Sequence, residues 1–390
     1  MNNSLKLSHI AAGLTAVIVG YSSSVVIVIE AARQAGANDT QLISWLFVLG
    51  LAMGLSCIYF SLKFKMPIIT AWSTPGAVFL ISTAGDFSLA EVTGAFVVAG
   101  GLSLLTARSK HLMQSIERIP RAMSAAMLAG ILLPYCMGVF SSAQEYPLLG
   151  LCFLVIYILG SRWFARYLML VLLVVAALAA MFLSSAETLS LRFSLPTLEW
   201  VMPEFTIAAA MNIGVPLFLI TMLSQNLPGI SIQHSHNYQP DNRFVLTGLS
   251  LLQLLAAPFG GFMINLAAIT AAICMAESVD ESPAKRYLAG VAAGIGYLLA
   301  GLLAVTITVL FIQMPPVVTS LLAGIALLST LQSSLLRGLQ DPPLRQSALL
   351  TLLCSASGLT LIGISAPVWG LLVGMITMWI HTRCKQPQIS

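Results

Sequence analysis

Charge is what this sequence has least of. Its 14 acidic and 18 basic side chains make up 8% of 390 residues, where a soluble domain carries about a quarter. A soluble globular fold is therefore excluded, and the net charge of +4 calls for no nucleic-acid partner. Cysteine is scarce too, with six residues and no CxxC pair. Cys57, Cys136, Cys152, Cys274 and Cys354 fall within apolar runs and Cys384 beyond them, so neither disulfides nor a metal cluster is expected. They read as small apolar packing residues. His234 and His236 form an HxH in a loop without a third ligand nearby, so no metal and no cofactor is expected. The HExxH motif, a Ser/His/Asp set and a phosphate-binding glycine loop are all missing, which argues against an enzyme.

What is present is apolar. Hydrophobic residues make up 58% and the mean hydropathy is +0.93. A membrane span needs about 20 mainly apolar residues. Fourteen such runs lie near 9–32, 40–62, 67–84, 88–107, 121–142, 145–161, 163–183, 205–226, 243–259, 260–278, 286–312, 316–336, 343–362 and 366–382, leaving no soluble domain. The first is too long for a signal-peptide core and lacks a convincing cleavage site, so it reads as a retained span.

The basic residues test this count. With fourteen crossings and both termini cytoplasmic, Lys6, Lys63, Lys65, Arg108, Lys110, Arg118, Arg121, Arg162, Arg166, Arg243, Lys285, Arg286, Arg337, Arg345, Arg383 and Lys385 fall inside. Only Arg33 and Arg192 fall outside, a split of 16 to 2. Were spans 3 and 10 re-entrant, the split would be 10 to 8. Cytoplasmic retention of Lys and Arg favours fourteen crossings.

Spans 3 and 10 are poor continuous helices. In 67–84, Pro67 opens an extended, β-branched and aromatic run to Trp72; Thr74 then suits an N-cap, with Pro75 starting a half-helix to Ala84. In 260–278, Gly260 and Gly261 free the backbone, Phe262 to Ile264 read as extended, and Asn265 suits an N-cap for a helix to Glu277. The motif "AMLAGILL" (126–133) matches "SLLAGIALL" (320–328) at an offset of 194 residues, and that offset carries one break onto the other. Seven is an odd number of spans, so the halves would be inverted, with the breaks meeting near mid-membrane, as in secondary transporters. Broken backbone survives there only where protein or a polar cavity covers it, and two helix N-termini placed head to head would bind an anion.

The stretches "TAWSTPGA" (70–77), "SQNLPGI" (224–230), "AITAAIC" (268–274) and "AAMLAGILL" (125–133) resemble signatures of the benzoate/proton symporter family, BenE. The resemblance runs over essentially the whole chain. It implies an all-α polytopic fold like that of uracil permease and the sulfate-transporter-like anion carriers, with seven plus seven inverted repeats and short strands in spans 3 and 10. It also implies a core domain (9–110 and 205–312), a gate domain (115–185 and 315–383), substrate between spans 1, 3, 8 and 10, and a homodimer through the gate domain. One departure stands out. Uracil-permease-like proteins carry carboxylates on spans 8 and 10, where this chain has Gln225, Asn226 and Asn265. Amide donors suit a carboxylate substrate better than a nucleobase.

The expected substrate-binding residues are Tyr21 and Ser23 on span 1, Trp72, Ser73, Thr74, Pro75, Gly76 and Ala77 at the first break, Gln225 and Asn226 on span 8, and Asn265, Leu266 and Ala267 at the second. The free N–H groups around Gly76–Ala77 and Leu266–Ala267 are the expected carboxylate donors. The proton-coupling residue is open. Glu30 is a weak candidate, one turn before Arg33 and read as its ion-pair partner. The expected partners are a small aromatic carboxylate, protons and the lipid of a bacterial inner membrane. A nucleobase permease and an inorganic-anion carrier are the alternatives.

Overall fold

The computed structural model describes residues 5–165, 167–183, 194–361 and 363–383. Arg166, Arg192, Cys384, Lys385 and the Arg383 side chain lie outside that description. The apolar runs become helices of unequal length. α1 (Leu7–Ser22) and α2 (Val25–Gln34) make one interrupted rod, followed by α3 (Asp39–Phe64). The chain then breaks into β1 (Thr70–Trp72) and the ten-residue α4 (Thr74–Thr83). Next come α5 (Leu89–Arg108), a short α6 (Lys110–Glu117), α7 (Arg121–Glu145), α8 (Pro147–Trp163) and α9 (Leu168–Leu183).

The second half begins with α10 (Ile207–Ala209), α11 (Val215–Thr221) and α12 (Leu227–Ser235), joined into one rod by π-helical turns at Ala210–Gly214 and Met222–Asn226. α13 (Asn242–Ala256) leads to the second break, β2 (Ile264–Leu266) and α14 (Ile269–Met275). α15 (Tyr287–Leu302) and α16 (Ala304–Ile312) meet at a bend of 57°. After α17 (Pro316–Leu339) and α18 (Arg345–Ala356), a hairpin of β3 (Thr360–Leu361) and β4 (Ile364–Ser365) turns into α19 (Ala366–Arg383). Among the described residues, six rods are long and apolar enough to cross a membrane alone, seven with the bent pair. The runs at 67–84 and 260–278 fall short because each spends residues on a strand.

Small residues set the closest approaches. A Cβ on Gly50 of α3 would lie 2.6 Å from the Gly301 Cα of α15, and Gly54 meets Gly294 in the same seam. The glycines of the matching motifs work alike: Gly130 lets α7 approach α18, and Gly324 lets α17 approach α7. Packing sorts the helices into two groups, α1–α5 with α10–α16 and α7–α9 with α17–α19. They meet where α4 and the turn Met222–Asn226 face α7, α2 faces α17, and α1 faces α9. Basic side chains gather at one end of the bundle. There Lys63 Nζ sits 3.3 Å from the Phe244 ring centre, Lys65 lies over Tyr287, and Arg243 donates to the Arg108 carbonyl.

Candidate functional site

β1 and β2 pair antiparallel, Thr70 opposite Leu266, Ala71 opposite Asn265 and Trp72 opposite Ile264. One further bond extends the ladder at each end, Ser73 N–H to the Met263 carbonyl and Ala267 N–H to the Ile69 carbonyl, both 2.9 Å. Residue for residue, the two strands stand 194 positions apart.

Three-residue strands cannot satisfy their own backbone as a helix does. Neighbouring helices do it for them. On the β1 side, Thr70 Oγ1 lies 2.6 Å from Ser56 Oγ and 3.2 Å from the Met53 carbonyl, and Thr70 N–H donates to Cys57 Sγ at 3.2 Å. Ser61 Oγ lies 3.2 Å from both the N and the O of Ile68. Cys57 is thus a hydrogen-bonding partner and not only an apolar filler, as expected from composition. On the β2 side, Gln253 accepts from Ile264 N–H at 3.1 Å and donates to the Gly261 carbonyl at 3.0 Å. Asn226 Oδ1 accepts from Leu266 N–H at 2.9 Å while its Nδ2 faces Met222 Sδ.

Several expected roles change. The N-cap of α4 is Ser73 and not Thr74; Ser73 Oγ accepts from Gly76 N–H at 3.1 Å and from Thr221 Oγ1 at 2.9 Å. Pro75 then takes the second helical position, where its missing N–H is harmless. Asn265 is no cap at all. It lies in β2, and Ala268 stands before α14 without a side-chain cap. α14 also stops at Met275, short of Glu277. The four expected carboxylate donors are all taken: Gly76 and Ala77 by Ser73, Leu266 by Asn226, and Ala267 by Ile69. Asn226 is therefore a strand support. The first turn of a helix leaves its N–H groups without intrahelical partners, so the open ones are Thr74 on α4 and Ile269, Thr270 and Ala271 on α14. Thr74 is half-buried and Ile269 is 73% exposed.

Around the break, Tyr21 and Trp72 rings pack with centroids 4.9 Å apart. Trp72 Nε1–H donates to Ser24 Oγ at 2.8 Å, whereas Ser23 only returns to its own helix at the Gly20 carbonyl. Asn265 Nδ2 donates to the Leu266 carbonyl at 2.9 Å. The Tyr21 hydroxyl and Asn265 Oδ1 are buried without a hydrogen-bond partner among the described residues. Gln225 is half-buried in the π turn Met222–Asn226, which packs against β2. Glu30 accepts from Gln34 Nε2 at 2.9 Å, and the expected pair with Arg33 does not form. Residues three and four along a helix are both neighbours, and here the amide of Gln34 takes the carboxylate.

One cluster escaped the sequence reading. At the basic end, Asp280 Oδ2 lies 2.8 Å from Lys6 Nζ and 3.1 Å from the buried His9 Nε2, and Asp280 Oδ1 accepts from Ser282 N–H. Buried Arg286 donates to the Asp280 carbonyl and to the Met275 carbonyl that ends α14. The Lys6 and Ser282 donors hold the Asp280 carboxyl down at about 2, against the opposing effect of burial.

With this geometry in place, the chain can be compared with known proteins. The family described as benzoate membrane transport protein matches residues 3–380. The benzoate membrane transport protein of Acinetobacter baylyi is 33% identical over 379 residues, covering 97% of this chain and 96% of the relative. Inner membrane protein YdcO of Escherichia coli is 37% identical over 366 residues, covering 93% of each. Among solved structures, SLC26A9 is similar with a TM-score of 0.62 at 15% identity, over 96% of this chain and 65% of its own. The transmembrane domain of the cyanobacterial bicarbonate transporter BicA follows at 0.59 and 14% identity, over 95% and 98%. At such identities the structural likeness is one of fold.

Proposed function

The chain belongs to the benzoate membrane transport protein family, and from that premise we propose a secondary active transporter that imports benzoate or a close aromatic carboxylate together with protons. The observation that carries this reading is the antiparallel crossing of β1 and β2, which sets two helix starts around one buried break. Helix N-termini carry roughly half a positive charge and open N–H groups, both suited to a carboxylate. The substrate carboxylate sits between Thr74 and the Ile269–Ala271 turn, with the amide of Gln225 and the Tyr21 hydroxyl as added donors. The Tyr21–Trp72 pair at the break offers an aromatic wall for the ring.

Protons enter the reading through energetics. Benzoate, like a Glu side chain, is mostly ionised at pH 7. An inside-negative potential opposes an anion by roughly 2.3 kcal/mol per 100 mV. One proton moving with it removes that cost and lets the pH gradient drive accumulation. The chain in this reading crosses fourteen times as two inverted halves, with both ends cytoplasmic in an inner membrane. The strand offset of 194, the two packing groups and the basic end support it. The first group (9–110 and 205–312) is the substrate-carrying core and the second (115–185 and 315–383) the gate, through which two copies pair. An inorganic-anion carrier is the second reading, because helix dipoles alone do not recognise a ring; the Tyr21–Trp72 pair favours the aromatic acid.

Uptake of labelled benzoate, uracil and sulfate into proteoliposomes tests the reading. Benzoate uptake should rise as external pH falls and collapse with a protonophore. Uptake driven by sodium and indifferent to pH would overturn proton coupling, and preference for uracil or sulfate would overturn the substrate.

A further inference from the structure

Among the described residues, His9, Asp280 and Arg286 are the only His, Asp, Glu, Lys or Arg side chains that are buried. All three belong to one cluster at the basic end of the bundle. Taking such groups out of water is costly unless they are paired, so their gathering in one place points to a role beyond packing.

Hydrogen bonds assign the state of the imidazole. Its Nδ1 lies 3.0 Å from the backbone N of Lys6, whose N–H can only donate, so Nδ1 accepts and carries no proton. Nε2 then bears the ring's proton and donates it to Asp280 Oδ2 at 3.1 Å, the oxygen that Lys6 Nζ also reaches at 2.8 Å. His9 is the third residue of α1, the place from which a Gln or Glu side chain commonly reaches back to the capping residue's N–H.

From this cluster to the break, α1 and α14 run side by side and antiparallel. Ser8 Oγ donates to the Val279 carbonyl at 2.7 Å, and Cys274 Sγ lies 3.9 Å from the Ala12 carbonyl. A Cβ on Gly20 would lie 3.2 Å from Thr270 Cγ2. α14 spans roughly 9 Å from Ile269 to Met275, and Arg286 ties its far end to Asp280. The tie between Asp280 and α1 therefore sets where the open Ile269–Ala271 turn stands relative to Tyr21.

We propose that His9 and Asp280 form a proton-operated latch, positioning residues that hold the open turn of α14 against α1 while His9 is neutral and release it when His9 takes a second proton. That proton can enter only at Nδ1. There it sets a donor against the Lys6 N–H, breaks the cap of α1, and leaves Lys6, His9 and Arg286 as three positive charges around one carboxylate. An imidazolium needs an acceptor for each N–H, and the ring finds its second one in water on the side of Lys6, whose side chain is 52% exposed. The proton comes from solvent at the basic end and returns there as the latch closes. Imidazole ordinarily changes charge between pH 5 and 8, and Asp280, held at about 2, stays ionised throughout.

No second histidine faces the latch. On elements packed against α1, the other titratable groups are Tyr287, beneath Lys65, and Tyr297 on α15, Cys274 on α14, and Glu30 and Arg33 on α2; α9 has none. Glu277, Glu281 and Lys285 share the loop of Asp280 without being buried, and Tyr238 donates to the Pro283 carbonyl there. His9 lies roughly 18 Å along α1 from Tyr21, so the latch is not the carrier of the proton that moves with substrate. The inference rests on the transport reading above and adds to it control of substrate affinity by the pH at the basic end.

Benzoate binding and hydrogen exchange of the full chain in nanodiscs, at pH 5.5 and 8, test this against His9→Gln. A Gln amide can accept from the Lys6 N–H and donate to Asp280 but takes no proton, so it keeps the latch closed. At pH 8 the two chains should bind benzoate alike. At pH 5.5 the natural chain should bind at least about five-fold more weakly than His9→Gln, the lower end of ordinary coupling between sites. Residues 276–286 should then exchange faster in the natural chain than in the variant. Both chains meet the same solvent and the same ionised fraction of benzoate, so the difference between them isolates His9. Should His9→Gln not fold, Asp280→Asn carries the test: its latch stays open, so its affinity should fall at least about five-fold below the natural chain at pH 8 and match it at pH 5.5. Equal affinity and equal exchange of the natural chain and His9→Gln at pH 5.5 overturn the latch, and faster exchange without a change of affinity overturns its positioning role. Absence of benzoate binding by every chain overturns the transport reading, while exchange still decides whether the latch opens.

Discussion

The two broken segments solve one problem with different materials. β1 is held by a web of small groups, Ser56, Cys57, Ser61 and the Met53 carbonyl, that share the load around Thr70 and Ile68. β2 hangs on two amides, Gln253 and Asn226, with no evident substitutes. The helices differ in the same spirit. α4 has ten residues and spends two of its first N–H groups on its own cap, Ser73. α14 has seven residues, an uncapped open start, and an anchored far end where Arg286 holds Met275. On the proposed reading the two helices divide the labour: α4, the longer, would contribute more of the field, and α14 more of the free donors.

The largest effect should come from the amides. Gln253→Leu strands Ile264 N–H and the Gly261 carbonyl, at about 1–3 kcal/mol for each unsatisfied group. Ser56→Ala leaves Thr70 with its other partners and should cost under about 1 kcal/mol. Thermal unfolding of the two purified variants settles it, and equal losses would break the contrast between web and single support. Next, Gln225→Leu should weaken benzoate binding about ten-fold through loss of a charge-assisted donor, with the unfolding temperature unchanged. Ser73→Ala should show the reverse, losing about 1 kcal/mol of stability as a cap is removed while calorimetric affinity moves less than about three-fold.

A smaller effect sharpens the anchored end of α14. Because the Asp280 pKa is lowered in the fold, from 3.8 to about 2, the ionised carboxylate contributes stability that is full above about pH 4 and lost as pH falls through about 2. The gap in unfolding temperature between the natural chain and Asp280→Asn should therefore narrow on acidification between those values. Smallest of all, Ser23→Ala should change neither binding nor stability by more than a few tenths of a kcal/mol, since Ser23 only bonds its own helix; Ser24→Ala, which strands the Trp72 N–H, should cost more.

That each of these runs breaks was legible in the sequence, because Pro67 and the Gly260–Gly261 pair interrupt stretches that are otherwise helical; β1 falls within the expected run, but β2 (Ile264–Leu266) lies two residues later than the expected Phe262–Ile264. The cap of α4 was legible only to within one residue: Ser73 and Thr74 are equally good capping types, and Pro75 is tolerated at either of the first two helical positions. Asn265 misled for a related reason. Asn suits caps, but here a strand partner 194 residues earlier decides its conformation, which no local pattern reveals. Cys57 looked apolar by composition, and its bond to Thr70 depends on α3 lying alongside β1. The Lys6–His9–Asp280 cluster joins positions more than 270 apart, and nothing in either stretch signals the other.

The ladder between β1 and β2 also sets an order of manufacture. Its two strands are separated by 194 positions, and at about 5–20 residues per second a ribosome needs roughly ten to forty seconds to pass from one to the other. For that interval the first half of the protein exists with a strand and no partner, and each unmet peptide group would cost several kcal/mol in hydrocarbon. β1 must therefore be kept wet or sheltered by the insertion machinery until the second half arrives. The newborn first half is not a smaller transporter awaiting duplication; it is an unfinished joint.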